Sequence, residues 1–306
     1  MEKRLTTTAM LFSVGFVFML ICTVGAFFYG IQIGKDKTEE KYAAADEGSA
    51  LAASAATPYQ QQDLVSFYHT VFLPYREFQN EWFAAMNKLS QGKTNEATSM
   101  FKDLASLADD KAKEASSVDM QRSPLLGQSQ ISYIRSLKLF NEASLKAATS
   151  AKTLTTAELK KNVEQEKTYQ SASLFALTAQ QAYYSAMLKW AATVNTDIPS
   201  EYTSPAMLEL NQWKNLSITV KNKLMSDQLM TRKKLTTYYP QDLTSRVDEF
   251  VVSGQASKMK LHTLSSVVDL LINTEAVRSG DFLASMSTLY QKPLLPQLPF
   301  FSVETN

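Results

Sequence analysis

The sequence predicts an all-α protein, an N-terminal transmembrane helix followed by a multi-helix bundle of antiparallel helices. Three observations carry this. From Ala9 to Gly34 no side chain is charged. Between Gly127 and Gly254 there is no glycine, and between Pro124 and Pro199 no proline. Beyond Pro58 the chain is rich in Ala, Leu, Lys, Gln and Glu, which lose little freedom in a helix.

Residues 1–8 are expected to form a short cytoplasmic N-terminus and 9–34 the membrane anchor. At about 1.5 Å per helical residue this run crosses the roughly 30 Å hydrocarbon layer with length left for tilt. A cleaved signal peptide, the competing reading, has an apolar core of only about 7–15 residues with a small-residue cleavage site close behind. Cys22 follows Ile21, where a lipoprotein needs a small residue, so a lipid-modified cysteine does not fit. Lys3 and Arg4 precede the run, and Lys35 and Lys37 follow it. A short basic start stays in the cytoplasm, which places the remainder of the chain outside it. Within the anchor Cys22, Ala26, Gly30 and Gly34 recur every four residues. Such a stripe is a helix-packing candidate because small residues let a second membrane helix approach closely; glycine is also simply common in membrane helices.

Residues 35–57 read as a flexible linker, first of mixed charge and then rich in Ala and Ser, with little apolar area to bury. The helical bundle spans 58–292. Its first helix is expected from Tyr59 to Ser90, bent at Pro74, with Phe67, Val71, Phe78, Trp82 and Met86 at helical spacing. Gln91-Gly92-Lys93 turns the chain, and Thr94 caps a second helix faced by Ala97, Met100, Phe101, Leu104 and Leu107. The two make an antiparallel hairpin. A third helix runs from Ser123 to Ser150, with Pro124 in its first turn and Ile131, Ile134, Leu137 and Leu145 inward.

The fourth helix, Thr156 to Thr193, is predicted to be continuous and central. Leu174, Gln181 and Leu188 are spaced by seven, as are Gln170, Leu177, Tyr184 and Ala191. That is a coiled-coil-like seam whose glutamines fix register or bond a neighbouring helix. Asp197, Pro199 and Pro205 mark a loop, and a fifth helix follows from Ala206 to Thr237. Shorter helices are expected over 241–252, 256–273 and 281–290. The Pro-rich tail at 293–306 cannot continue a helix; it either closes the end of the bundle or presents a peptide to a partner. Trp82, Leu89, Gly92, Ala97 and Phe101 resemble part of one tetratricopeptide-repeat hairpin. No regular period of about 34 residues follows, and an ordinary helical hairpin accounts for the spacing.

Lys and Arg number 31 against 30 Asp and Glu, so no long-range field steers the chain toward nucleic acid. The single cysteine, Cys22, leaves the bundle without disulfides or thiolates. His69 and His262 have no carboxylate or second histidine at metal-ligand spacing. There is no G-x-S-x-G turn and no glycine-rich phosphate loop. No catalytic residue, metal or cofactor is therefore expected, and the chain reads as a non-enzyme. Asp109-Asp110 and Asp248-Glu249 are expected on solvated faces, and Arg232-Lys233-Lys234 is a small basic patch.

Tyr184, Trp190, Trp213, Tyr238 and Tyr239 are the interaction-surface candidates, because such rings join apolar area to a polar handle; core packing is the competing reading. The expected function is that of a single-pass, membrane-anchored, extracytoplasmic interaction or scaffold protein of a bacterial cell envelope. Its partners are the lipid bilayer through the anchor, and another protein or a second copy of itself. The alternative is an extracytoplasmic ligand-binding or sensory bundle, with a pocket between the fourth and fifth helices, signalling through a partner.

Overall fold

A computed structural model describes residues 59–92, 96–120 and 122–302. The predicted anchor at 9–34 with Cys22, Ala26, Gly30 and Gly34, the linker at 35–57 and the expected cap Thr94 lie outside the described residues. Among the described residues no helix is long and apolar enough to cross a membrane. Every extended regular element described is helical, and an isolated β-bridge joins Glu209 to Thr263.

The fold begins with α1 (Gln61–Phe67), a π-helical turn (Tyr68–Phe72) and α2 (Leu73–Ser90). The π turn is the form the expected bend takes. Pro74 has no N–H for the carbonyl four residues back, and the Leu73 N–H reaches instead to the Tyr68 carbonyl. Phe67, Val71, Phe78, Trp82 and Met86 are all buried. After the turn at Gly92, whose φ of 76° suits glycine, α3 (Ala97–Ala115) starts at the N-cap Glu96 without a side-chain cap. Beside Phe101 and Leu104, its buried seam is alanine at 97, 105, 108, 112 and 115, which lets the next helix approach.

That helix, α4 (Pro124–Ser150), starts where Ser123 and Pro124 indicate, but its buried face differs from the expected one. Ile131 and Leu145 are exposed, whereas Leu126, Tyr133, Leu137 and Phe140 are buried. Serines account for the rotation. Ser129 donates to the Ala179 carbonyl at 2.7 Å and Ser136 to the Ala172 carbonyl at 2.8 Å, so residues that look polar occupy a close helix–helix contact. These pairings run in opposite directions along the two helices and fix them as antiparallel. On its other side Gln130 bonds the Ala115 carbonyl and Asn141 the Ala105 carbonyl, so α3 is antiparallel to α4 as well.

The fourth predicted helix is broken into α5 (Thr156–Gln165) and α6 (Lys167–Val194). Glu166 is extended, and its carboxylate accepts the Tyr169 N–H at 3.1 Å, capping α6 where neither glycine nor proline marks a stop. Gln181 bonds Asp227 on a neighbouring helix at 2.7 Å, and Leu177, Tyr184 and Leu188 are buried, but Leu174 is exposed. The fifth predicted helix also divides, into α7 (Leu210–Lys214) and α8 (Ile218–Thr231), and ends well before Thr237. Ser217 caps α8 by accepting the Val220 N–H. The chain then forms α9 (Pro240–Val252), α10 (Gln255–Lys258), α11 (Leu264–Asn273), α12 (Asp281–Leu289) and a 3-10 turn (Pro299–Phe301).

The helices pack in succession, α4 between α3 and α6, α6 between α4 and α8, then α8 against α9 and α9 against α12. Aromatic rings fill the centre. Trp82 stacks on Tyr169 at 5.4 Å and packs on Phe140 at 4.8 Å, and Phe67 meets Tyr183 at 4.5 Å. The Pro-rich segment runs back to the beginning of the fold. Phe300 stacks on Tyr239 at 5.3 Å and packs on Phe72 at 5.5 Å, and Gln61 and Gln297 exchange two hydrogen bonds.

Candidate functional site: a polar cleft backed by a buried ion pair

Four of the five aromatic candidates belong to the core rather than to a surface. Tyr184, Trp190, Trp213 and Tyr238 are each under 10% exposed, and only Tyr239 is half-buried, with the Arg76 guanidinium 4.2 Å above its ring. The polar handles of Tyr184 and Trp213 are used internally. The Tyr184 hydroxyl donates to Gln241 at 2.5 Å, and burial holds it well above the usual tyrosine range. Burial pushes Tyr238 up to about 12.

Asp248 departs from the solvated face expected for it. It turns inward from α9 while its neighbour Glu249 is exposed and bonds Arg246. Asp248 Oδ1 accepts the Trp213 indole N–H at 2.7 Å and Lys221 Nζ at 2.9 Å; Oδ2 accepts Lys221 Nζ at 3.1 Å and the Tyr290 hydroxyl at 2.8 Å. Both oxygens therefore have two donors each, which fills the acceptor capacity of a carboxylate. Such a group is no general base. It joins α7, α8, α9 and the residue after α12 into one buried polar network, with Lys221 also 5.1 Å from the Trp213 ring centre.

The network backs a cleft of about 570 Å³. Its walls come from residues 195–202 after α6, residues 215–220 at the start of α8 and residues 289–294 at the end of α12, with Thr196, Ser200, Glu201 and Lys292 of those stretches outside the lining. Tyr290 belongs to both cleft and network, lining the one while its hydroxyl bonds Asp248. Thr219 donates to the Leu294 carbonyl at 3.2 Å and ties two walls together. Asn195 Oδ1 accepts the Asp197 N–H at 2.9 Å, and Asn215 Nδ2 donates to the Asn211 carbonyl at 3.2 Å. Each amide thus has one end fixed and one end available.

Two further buried charges were not legible as such in sequence. Asp242 Oδ1 accepts the Gly280 and Phe282 N–H groups at 3.2 and 3.0 Å, and Oδ2 the Tyr239 N–H at 2.9 Å, so one carboxylate caps both α9 and α12. Burial outweighs these donors and raises Asp242 to about 6. Arg76 is 5% exposed with no carboxylate partner among the described residues; it bonds Gln79 at 2.6 Å and the Thr237 carbonyl at 2.7 Å. His69 and His262 are exposed, and no group of side chains among the described residues is arranged to hold a metal. Arg232 bonds Asp269 and Ser265, whereas Lys233 and Lys234 are exposed. A pocket between the fourth and fifth predicted helices is the alternative expectation from sequence, but Asp197 and Pro199 signal only a turn and say nothing of the segment that lies across from it.

Fold and site together define a helical bundle with a polar cleft and a saturated ionic core. No protein family, curated protein or solved structure matches this chain.

Proposed function

We propose that the chain is a single-pass membrane protein that presents its helical bundle outside the cytoplasm, as a module that binds another protein or organises an assembly at a bacterial cell envelope. The observation that carries this is the uncharged apolar run from Ala9 to Gly34 ahead of a helical fold. The bundle supports the reading because its buried carboxylates Asp242 and Asp248 are occupied by internal donors. Apolar side chains at its outer face support it too, since Ile131 and Leu174 are exposed on the adjoining helices α4 and α6. The Cys22, Ala26, Gly30 and Gly34 stripe is the route by which anchors pair.

The test is in-cell crosslinking of the tagged full-length chain, with alkaline extraction of membranes and protease accessibility from outside the cell. Retention in extracted membranes, cleavage from outside and a reproducible partner are expected. Release by alkali removes the anchor, and protection from protease reverses the orientation. Recovery of no specific partner removes the interaction role. A second reading, a ligand-binding bundle, is favoured by one observation, the cleft between the α6–α7 connection and the start of α8.

A further inference from the structure

We propose that the cleft takes a neutral, polyhydroxylated ligand, a saccharide of one or two rings. The inference rests on the ligand-binding reading of the cleft and is independent of the anchor. Charge decides the class first. Asp197 is the single charged residue in the lining, which holds no lysine, arginine or histidine, so an anion finds no counter-charge among the lining residues and a cation only one exposed carboxylate.

The remaining polar groups are amides and hydroxyls. Asn195 retains its Nδ2 donors and Asn215 its Oδ1 acceptor, while Gln291 is exposed with both ends of its amide unengaged. Sugar hydroxyls both donate and accept, which is what such a mixed set matches. Tyr202 and Tyr290 add aromatic area against which the C–H face of a pyranose packs. Tyr290 is held in place before any ligand arrives, because its hydroxyl is bonded to Asp248. The cleft volume of about 570 Å³ lies in the range of small-ligand sites and does not enclose a long oligosaccharide.

The test uses the full chain in lipid nanodiscs, with maltose and diacetylchitobiose as probes and inorganic phosphate and hexanol as controls. Saturation-transfer NMR and calorimetry read binding. At least one disaccharide should bind saturably, with an affinity insensitive to salt. Gln291→Ala, an exposed change, together with Asn195→Asp, which keeps the acceptor for the Asp197 N–H, should weaken binding about tenfold. Unchanged thermal unfolding of the variant confirms its fold. Phosphate or hexanol binding in the cleft, sensitive to the same substitutions, while both sugars fail, overturns the saccharide class but keeps a ligand site. Failure of every probe overturns the saccharide proposal and leaves the cleft reading without support. Sugar binding that ignores both substitutions overturns the placement.

Discussion

Asp248 carries four hydrogen bonds and one ion pair in a setting that water barely reaches, and that arrangement sets what its loss does. Asp248→Ala leaves Lys221 charged and buried and strands the Trp213 and Tyr290 donors. A loss of about 3–5 kcal/mol in urea unfolding is expected. Replacing the pair together, Asp248→Leu with Lys221→Met, should recover much of that loss, because no buried charge is then left alone. A single variant within about 1 kcal/mol of the parent, the worth of a surface pair, would show that the network is wet and weak. Asp242 makes a different prediction. Its folded pKa, about 6, lies above the ordinary 3.8, so the folded state holds the proton more tightly. The stabilising contribution is complete below about 3.8 and is lost as pH rises through about 6. Asp242→Asn loses one N-cap acceptor at every pH but removes this slope. The stability difference between parent and variant should therefore narrow between pH 4 and pH 7, while Glu158, Glu166 and Glu201, all lowered, act alike in both proteins. Denaturation curves that stay equally separated across that window would remove the assignment.

At the scale of elements, caps explain both what was legible and what was not. Ser123 and Pro124 announce the start of α4, because proline fits only where an N–H is not required. The division at Glu166 has no such mark. Glutamate is a good helix former, and only the Tyr169 N–H that its carboxylate accepts makes it a cap. Glu166→Ala should lower stability by about 1 kcal/mol and lengthen the helical stretch without unfolding the bundle, as circular dichroism and thermal unfolding would report. An unchanged melting temperature would mean that packing alone sets the break. The face of α4 was misread for a related reason. Hydrophobic periodicity places Ser129 and Ser136 outward, but a helix flanked on two sides can bury serine when a neighbouring carbonyl stands within reach. The sequence allows a pocket between the fourth and fifth predicted helices, but not the third wall at 289–294, because the three segments meet only in three dimensions. The tail admitted two readings in sequence, and its packing distinguishes them. Phe300 sits among Tyr68, Phe72 and Tyr239, so Phe300→Ala should cost about 3–5 kcal/mol, the range for a buried phenylalanine, whereas a displayed peptide would tolerate it.

Across the whole bundle, the connection between its first and last elements bears on how it unfolds. Gln61 on α1 bonds Gln297, and Phe300 closes over the π turn, so the beginning of the fold lacks its packing until the end has arrived. The core is likewise one connected cluster that runs from Tyr59 to Phe301. No subset of helices has an interior of its own, which argues for a single cooperative transition rather than stepwise loss. Trp82 lies on α2 and Trp213 on α7, both fully buried, and they report on opposite ends of the helix succession. Variants retaining only one of these tryptophans, the other two replaced by phenylalanine, should give the same urea midpoint relative to a circular dichroism signal recorded on the same sample. If the Trp213 signal changes at lower urea than the Trp82 signal, α7 to α12 form a separate unit and the Phe300 closure contributes little to cooperativity. Coincident curves tie the cleft walls to the stability of the entire bundle, so that a ligand bound there protects the Trp82 environment as strongly as it protects Trp213.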